Sequence, residues 1–327
     1  PVRLAATFSS IFGSFLSFVI PLIIIGFIVP GIASLGSKSG KGLLITTIVA
    51  YLSTLLAGFA AYLIGAGILP KLISGSIALS EEGQTIEPYF TIEIPAIMGV
   101  MSALTLAFIL GIGLSKIKNS AMLKVVDEFN KIVLMIVTNV LIPLVPIYIG
   151  CVFAKLSYSG EIFNTLKSFG IVYILLFSLQ LAYILIQYCI AGAIKKENPF
   201  KLIKNMIPAY MTAVGTQSSA ATIPVTLECV KKNNISEEVL DFVVPLGATI
   251  HLAGDTITLV LTSMAVMYMN GQTPTFGMIM PFIFMLGVTM IAAPGVPGGG
   301  VMAALGLLES MLGFGAVEKP IMIALHA

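Results

Sequence analysis

Gly247-Ala248-Thr249-Ile250-His251-Leu252-Ala253-Gly254-Asp255-Thr256 sets an acid, an imidazole and two glycines inside an otherwise apolar run from 239 to 269. Roughly 12 residues lie on each side of the His251–Asp255 core. At about 1.5 Å per helical residue each half reaches about 18 Å, so the two halves meet near the centre of a bilayer. Backbone groups in hydrocarbon must be satisfied internally, and a helix interrupted at that depth survives only where it lines a protein cavity. An aspartate there costs about 2.5–3.5 kcal/mol on insertion scales, so Asp255 is expected to face that cavity or a cation. The plainer alternative is that it caps the second half-helix through Thr256 and the following N–H groups. His251 reads equally as a neutral packed side chain and as a ligand or proton carrier. The two are four positions apart, and an unbroken helical turn between them would put both on one face.

Two further breaks lie close by. Gly215-Thr216-Gln217-Ser218-Ser219-Ala220-Ala221-Thr222 is a polar patch between two apolar arms, within about 202–230. Ser218 or Ser219 is suited to cap the returning arm, leaving free N–H groups and a positive helix end that favours a carboxylate. A polar kink, or a helix contact through small residues, is the alternative. Ala293-Pro294-Gly295-Val296-Pro297-Gly298-Gly299-Gly300 interrupts the run 277–314. Its prolines stop a helix and its glycines admit conformations other residues resist, so an unwound tip with free carbonyls is expected, able to bind a cation or move as a gate. A tight turn is the simpler alternative.

Outward from these breaks the chain is apolar almost throughout. Of 327 residues 57% are hydrophobic and 10% charged, against roughly 25% charged in a soluble domain. Apolar segments are read at about 10–35, 42–70, 94–115, 130–154, 169–194, 205–230, 239–269 and 277–314, with another beginning near 320; they are long enough to cross a bilayer, and 277–314 is too long for one simple span. Lys38 and Lys41, then Lys116, Lys118, Lys124 and Lys131, then Lys195, Lys196, Lys201 and Lys204, fall in alternate loops and are assigned to the cytoplasmic side. Lys231 and Lys232 keep that pattern only if 205–230 enters and returns on the same side. The long segment 277–314 is then a second hairpin, entered from outside. The expectation is an all-α polytopic membrane protein in a cell membrane, the inner or plasma membrane of a prokaryote, with two re-entrant hairpins and one broken helix.

The net charge of +2 is dispersed and no nucleic-acid motif is present, so nucleic acid is excluded as a partner. Cys151, Cys189 and Cys229 are too far apart for a disulfide framework or a transition-metal site, and no cofactor is expected. The chain opens at Pro1 and stops at Ala327 inside an apolar segment, and it reads as cut at both ends.

At its three breaks the sequence resembles the glutamate-transporter-type family, the dicarboxylate and amino acid:cation symporters. Thr216-Gln217-Ser218-Ser219-Ala220-Ala221-Thr222-Ile223-Pro224-Val225-Thr226 is similar to the family's serine-rich tip and the motif after it. Pro245-Leu246-Gly247-Ala248-Thr249-Ile250 is similar to the run entering the broken seventh helix, and Gly295-Val296-Pro297-Gly298-Gly299-Gly300 to the second hairpin tip. The resemblance implies a homotrimer with an elevator-type mechanism. Residues 1–41 and 71–168 would form the scaffold, and 42–70 and 169–327 the transport domain, with hairpin 1 at about 202–230, the broken helix at 239–269 and hairpin 2 at about 277–314. Substrate would lie between Thr216, Gln217, Ser218, Ser219 and the second tip, Gly295, Val296, Pro297, Gly298 and Gly299, with Asp255 nearby. Cation-binding positions would be Gly247 and His251, then Thr249, Met290, Ile291 and Ala293, with Ser53 and Thr54 serving a further ion and Asp255 as a candidate.

There are departures. The family's Asn-Met-Asp-Gly-Thr is replaced by His251-Leu252-Ala253-Gly254-Asp255-Thr256, and Gln217 stands where some aspartate carriers have an arginine. The expected function is cation-coupled symport, by Na+ or H+, of an amino acid or small dicarboxylate. An ion channel or substrate-gated pore built from the same broken helices is the rival, disfavoured by two hairpins entered from opposite sides. An enzyme is not expected, since no nucleophile–base set, metal motif or phosphate loop accompanies His251.

Overall fold

The computed structural model describes residues 2–37, 41–73, 86–117, 120–158, 162–291, 293, 295, 298–315 and 317–326. Among the described residues the regular elements are all helices, with no strand. α1 (Val2–Ser37), α2 (Lys41–Leu72) and α3 (Val100–Lys116) come first. α4 (Ala121–Ile136) runs through one π-helical turn (Val137–Leu141) into α5 (Ile142–Tyr158). α6 (Ile162–Lys195), α7 (Pro199–Thr216), α8 (Ser219–Lys231), α9 (Glu237–Ile250) and α10 (Ala253–Met269) follow. α11 (Phe276–Met290), α12 (Gly299–Leu312) and the short α13 (Glu318–Ala324) end the chain. Among the described residues, five stretches are long and apolar enough to cross a membrane: Val2–Ala33, Leu44–Leu72, Ala121–Lys155, Phe169–Lys195 and Val239–Met269. The last combines α9 and α10 across the break at His251.

Several ends differ from the hydropathy reading, for local reasons. The expected 130–154 segment begins nine residues earlier. Asp127, Glu128 and Asn130 dilute its first turns in sequence, yet Ser120 caps the helix by accepting from Leu123 N at 3.3 Å. The π-helical turn precedes Pro143, whose missing N–H would have bonded the carbonyl of Asn139. The expected 94–115 segment becomes helical only at Val100. Residues 86–99 run without helix, and their first part lies against the start of α1, where Arg3 stacks 4.5 Å over the Tyr89 ring and Tyr89 N donates to Thr7 Oγ1 at 2.8 Å. The 205–230 hairpin starts earlier, at Pro199, because Asn198 accepts from Phe200 N at 2.9 Å and proline suits a first helical turn.

Packing gathers the helices into two sets. α1 lies on α3, α4 and α5. Gly111 permits the close α1–α3 approach, since a Cβ there would fall 2.7 Å from Ile32 Cβ, and Asn130 Nδ2 donates to Gly26 O at 2.7 Å from α4. Small residues and interhelical amide bonds do this work where hydrophobicity gives no preference between helix and lipid. The second set is built on α2, which packs against α9, α10, α11 and α6, while α7 pairs with α8 and α11 with α12. The sets meet chiefly where α12 rests on α1 and α3 and where α13 rests on α5. The core of α10 is almost wholly enclosed, whereas α2 and α6 turn Leu56, Leu63, Ile174 and Ile194 outward. Apolar side chains exposed in such stripes suit lipid, not water.

Candidate substrate and cation site

Three interruptions far apart in sequence end in one place. α7 stops at Thr216, Gln217 turns the chain with φ 51°, and Ser218 opens α8. The Ser218 hydroxyl accepts from Ala221 N at 3.3 Å, capping α8, and donates to Gly295 O at 2.8 Å in the second tip. Ala220 N donates to the same carbonyl at 3.4 Å. A Cβ on Gly295 would lie 3.3 Å from Ala248 O and 3.4 Å from Ser219 Cβ. The tip of hairpin 1, the last turn of α9 and the tip of hairpin 2 are therefore in mutual contact.

Asp255 occupies the first turn of α10, and a Cβ on Gly300 would lie 2.7 Å from its Oδ2. The carboxylate thus presses on the opening turn of α12, where unpaired N–H groups and the positive helix end favour it. α8, α10 and α12 begin at this locus, while α9 and α11 end beside it at Ile250 and Met290. Helix starts offer donors to an anion and helix ends offer carbonyls to a cation, so both kinds of charge find partners within a few residues.

The other expected residues fall as follows. Thr216 Oγ1 bonds back to Thr212 O at 2.9 Å and meets Thr222 Oγ1 at 3.3 Å. Ser219 is the first residue of α8, and Gly298 (φ 68°) and Gly299 start α12. Gly247 and Thr249 lie in the last turn of α9, where Thr249 Oγ1 donates to Leu246 O at 2.8 Å. Met290 ends α11, Ile291 follows it, and Ala293 is buried. Val296 and Pro297 lie outside the described residues. Thr54 Oγ1 donates to Ala50 O at 2.9 Å and is buried.

One expected pairing is absent. His251 (φ −120°, ψ 83°) and Leu252 (φ −109°, ψ 49°) are not helical, so the turn that would align His251 with Asp255 does not form. No ion pair joins them among the described residues. His251 Nε2 instead lies 2.9 Å from Ser53 Oγ in α2. That hydroxyl also meets Tyr183 Oη at 3.0 Å and receives a hydrogen bond from Gln187 Nε2 at 2.8 Å. Gln180 Nε2 donates to Gly254 O at 3.3 Å and Thr258 Oγ1 at 3.0 Å. Gln180, Tyr183 and Gln187 of α6 are not among the residues that the three sequence breaks mark. Their spacing, 180, 183 and 187, repeats on one helical face within an apolar run, a signal that was available.

This convergence of broken helices is matched by a whole-chain comparison, in which the profile of the sodium:dicarboxylate symporter family aligns with residues 2–327. The chain belongs to that family. Among curated relatives of this symporter-family chain, an excitatory amino acid transporter of Caenorhabditis elegans is 24% identical over 253 residues, 75% of this chain and 50% of that protein. Excitatory amino acid transporter 1 of Ambystoma tigrinum is 32% identical over 120 residues, 36% of this chain and 22% of the relative. Neutral amino acid transporter B(0) of Rattus norvegicus is 28% identical over 117 residues, 36% of this chain and 21% of the relative. The matched part spans half or less of these relatives' length.

Proposed function

We propose that this membrane protein is a secondary active transporter and not an enzyme, coupling movement of an amino acid or small dicarboxylate to a cation, Na+ or H+. The observation that carries this reading is the meeting of oppositely polarised helix ends at Ser218, Gly295, Ala248 and Asp255, inside a chain of a symporter family. A midplane site made by discontinuous helices suits alternating access. The names of the relatives, covering excitatory and neutral amino acids, favour an amino acid as substrate. Gln217 in place of a cationic side chain favours one without a second carboxylate.

On this reading hairpin 1 (α7–α8) and hairpin 2 (α11–α12) re-enter the membrane from opposite sides. Substrate lies between Thr216–Ser219 and Gly295–Gly299, and the carbonyl-rich ends of α9 and α11, with Gly247, Thr249, Met290, Ile291 and Ala293, hold the coupling cation. The division of packing supports α1 and α3–α5 as the scaffold of a homotrimer and the α2-centred set as the moving part. Counterflow in proteoliposomes tests it. Vesicles preloaded with unlabelled amino acid should transiently accumulate labelled amino acid above equilibrium. Flux that only dissipates the gradient, with no counterflow, identifies a channel instead.

A further inference from the structure

Resting on the symport reading, we infer that the Ser53 pocket of this chain is a filled cation site, in which the His251 Nε2–H group occupies the coordination position that a sodium ion would need. Ser53 and Thr54 are the hydroxyl pair that the family resemblance assigns to an additional cation. The hydrogen-bond inventory around Ser53 decides against that assignment here.

A serine hydroxyl has one proton to donate and two lone pairs to accept with. Ser53 Oγ has three neighbours at bonding distance: Gln187 Nε2 at 2.8 Å, His251 Nε2 at 2.9 Å and Tyr183 Oη at 3.0 Å. Gln187 Nε2 is a donor and takes one lone pair. Tyr183 has a single phenolic proton, and it goes to the Ser53 carbonyl at 2.6 Å. Tyr183 Oη therefore cannot also donate to Ser53 Oγ, so the Ser53 proton points to Tyr183. The remaining Ser53 lone pair faces His251 Nε2, and only a protonated Nε2 makes that contact attractive. The alternative, Ser53 donating to a bare Nε2, would leave Tyr183 Oη and Ser53 Oγ facing one another at 3.0 Å without a proton between them.

Every valence of the Ser53 hydroxyl is then used, and its carbonyl is taken by Tyr183. Thr54 Oγ1, already donating to Ala50 O at 2.9 Å, is left as a single hydroxyl oxygen rather than a coordination shell. Sodium sites in such carriers are built from several oxygens with free lone pairs. The four side chains tie α2, α6 and the break between α9 and α10 together without an ion, so this pocket contributes none of the sodium dependence of the carrier. Tyr183 and Gln187 are positioning residues in this scheme, because they act on His251 through Ser53.

Sodium titration of thermal stability tests it on the purified chain, with choline chloride holding ionic strength constant. Ser53→Ala is expected to keep the sodium midpoint within about threefold of wild type, whatever it does to the absolute melting temperature. A larger rise in the midpoint, with a lower Hill slope, would overturn the inference. Should Ser53→Ala fail to fold, 15N spectroscopy of the wild-type histidine rings replaces it, with His326→Gln identifying the His251 signals. A proton bonded to Nε2, unmoved by sodium, is expected; a proton-free Nε2, or one displaced by sodium, overturns the proposal. Neither readout requires transport, so a wild-type protein lacking counterflow would defeat the symport reading while leaving this result separately readable.

Discussion

Gly298 opens α12 with φ 68°, a region that a β-branched side chain enters only with strain of about 1–2 kcal/mol. If hairpin 2 is the gate, Gly298→Val should lower uptake about five- to thirty-fold, the factor that such an energy commands. Gly298→Asn, which tolerates left-handed backbone, should retain most of it, and labelled-substrate uptake in proteoliposomes compares them. Asp255 has a different prediction because its carboxylate is pressed on the first turn of α12. Charge at a partly buried helix start contributes up to about 2 kcal/mol. Asp255→Asn keeps the shape and removes the charge, so cation-driven accumulation should fall more than equilibrium exchange, which need not release the coupling ion. Equal losses in both assays would reduce Asp255 to a helix cap.

At the level of elements, the Ser218 hydroxyl both caps α8 and reaches Gly295 O. Its loss removes a cap worth about 1 kcal/mol together with a bond between hairpins. Ser218→Ala should therefore melt earlier and leave a cysteine introduced in the second tip more open to a bulky thiol reagent, a stronger effect than side-chain loss at a purely backbone-built site would have. The 3.4 Å between Ser219 Cβ and a Cβ on Gly295 is close to disulfide geometry. In a background lacking Cys151, Cys189 and Cys229, the pair Ser219→Cys and Gly295→Cys should oxidise readily. The oxidised protein should stop transporting and regain uptake on reduction. Full transport in the oxidised state would mean that the two tips never need to part.

For the whole molecule the informative boundary is between the two helix sets. A Cβ on Gly306 of α12 would fall 2.6 Å from Val100 Cγ1 and 2.9 Å from Ile24 Cδ1. Gly306→Leu should wedge these sets, slowing uptake while a substrate-induced rise in melting temperature persists. Loss of both together would indicate a folding defect and not impeded sliding. The exposed apolar residues of α3, α4 and α5, among them Ile109, Ile132 and Ile147, are the surface on which a trimer would form. Light scattering should give three protomers per detergent particle, and a monomer that transports after reconstitution would remove the trimer from the proposal.

Membrane class, the three helix breaks and family resemblance were all legible in the chain, because bilayer thickness sets segment length and hydrocarbon forbids unsatisfied backbone. The hairpin tips at Gln217 and Gly298 were equally local matters of capping and glycine. Helix starts at Ser120 and Asn198 were less legible, since hydropathy averages over polar first turns that caps stabilise. The partners of His251 could not be read at all. Its neighbour four positions on, Asp255, would share its face only across an unbroken helical turn, but the backbone breaks at His251 and Leu252 and turns the ring elsewhere. It finds Ser53, 198 positions away, beside Tyr183 and Gln187 of a third helix. Spacing along one helix decides which side chains share a face; which face meets which depends on how α2, α6 and α10 pack, and that is a property of the assembled fold.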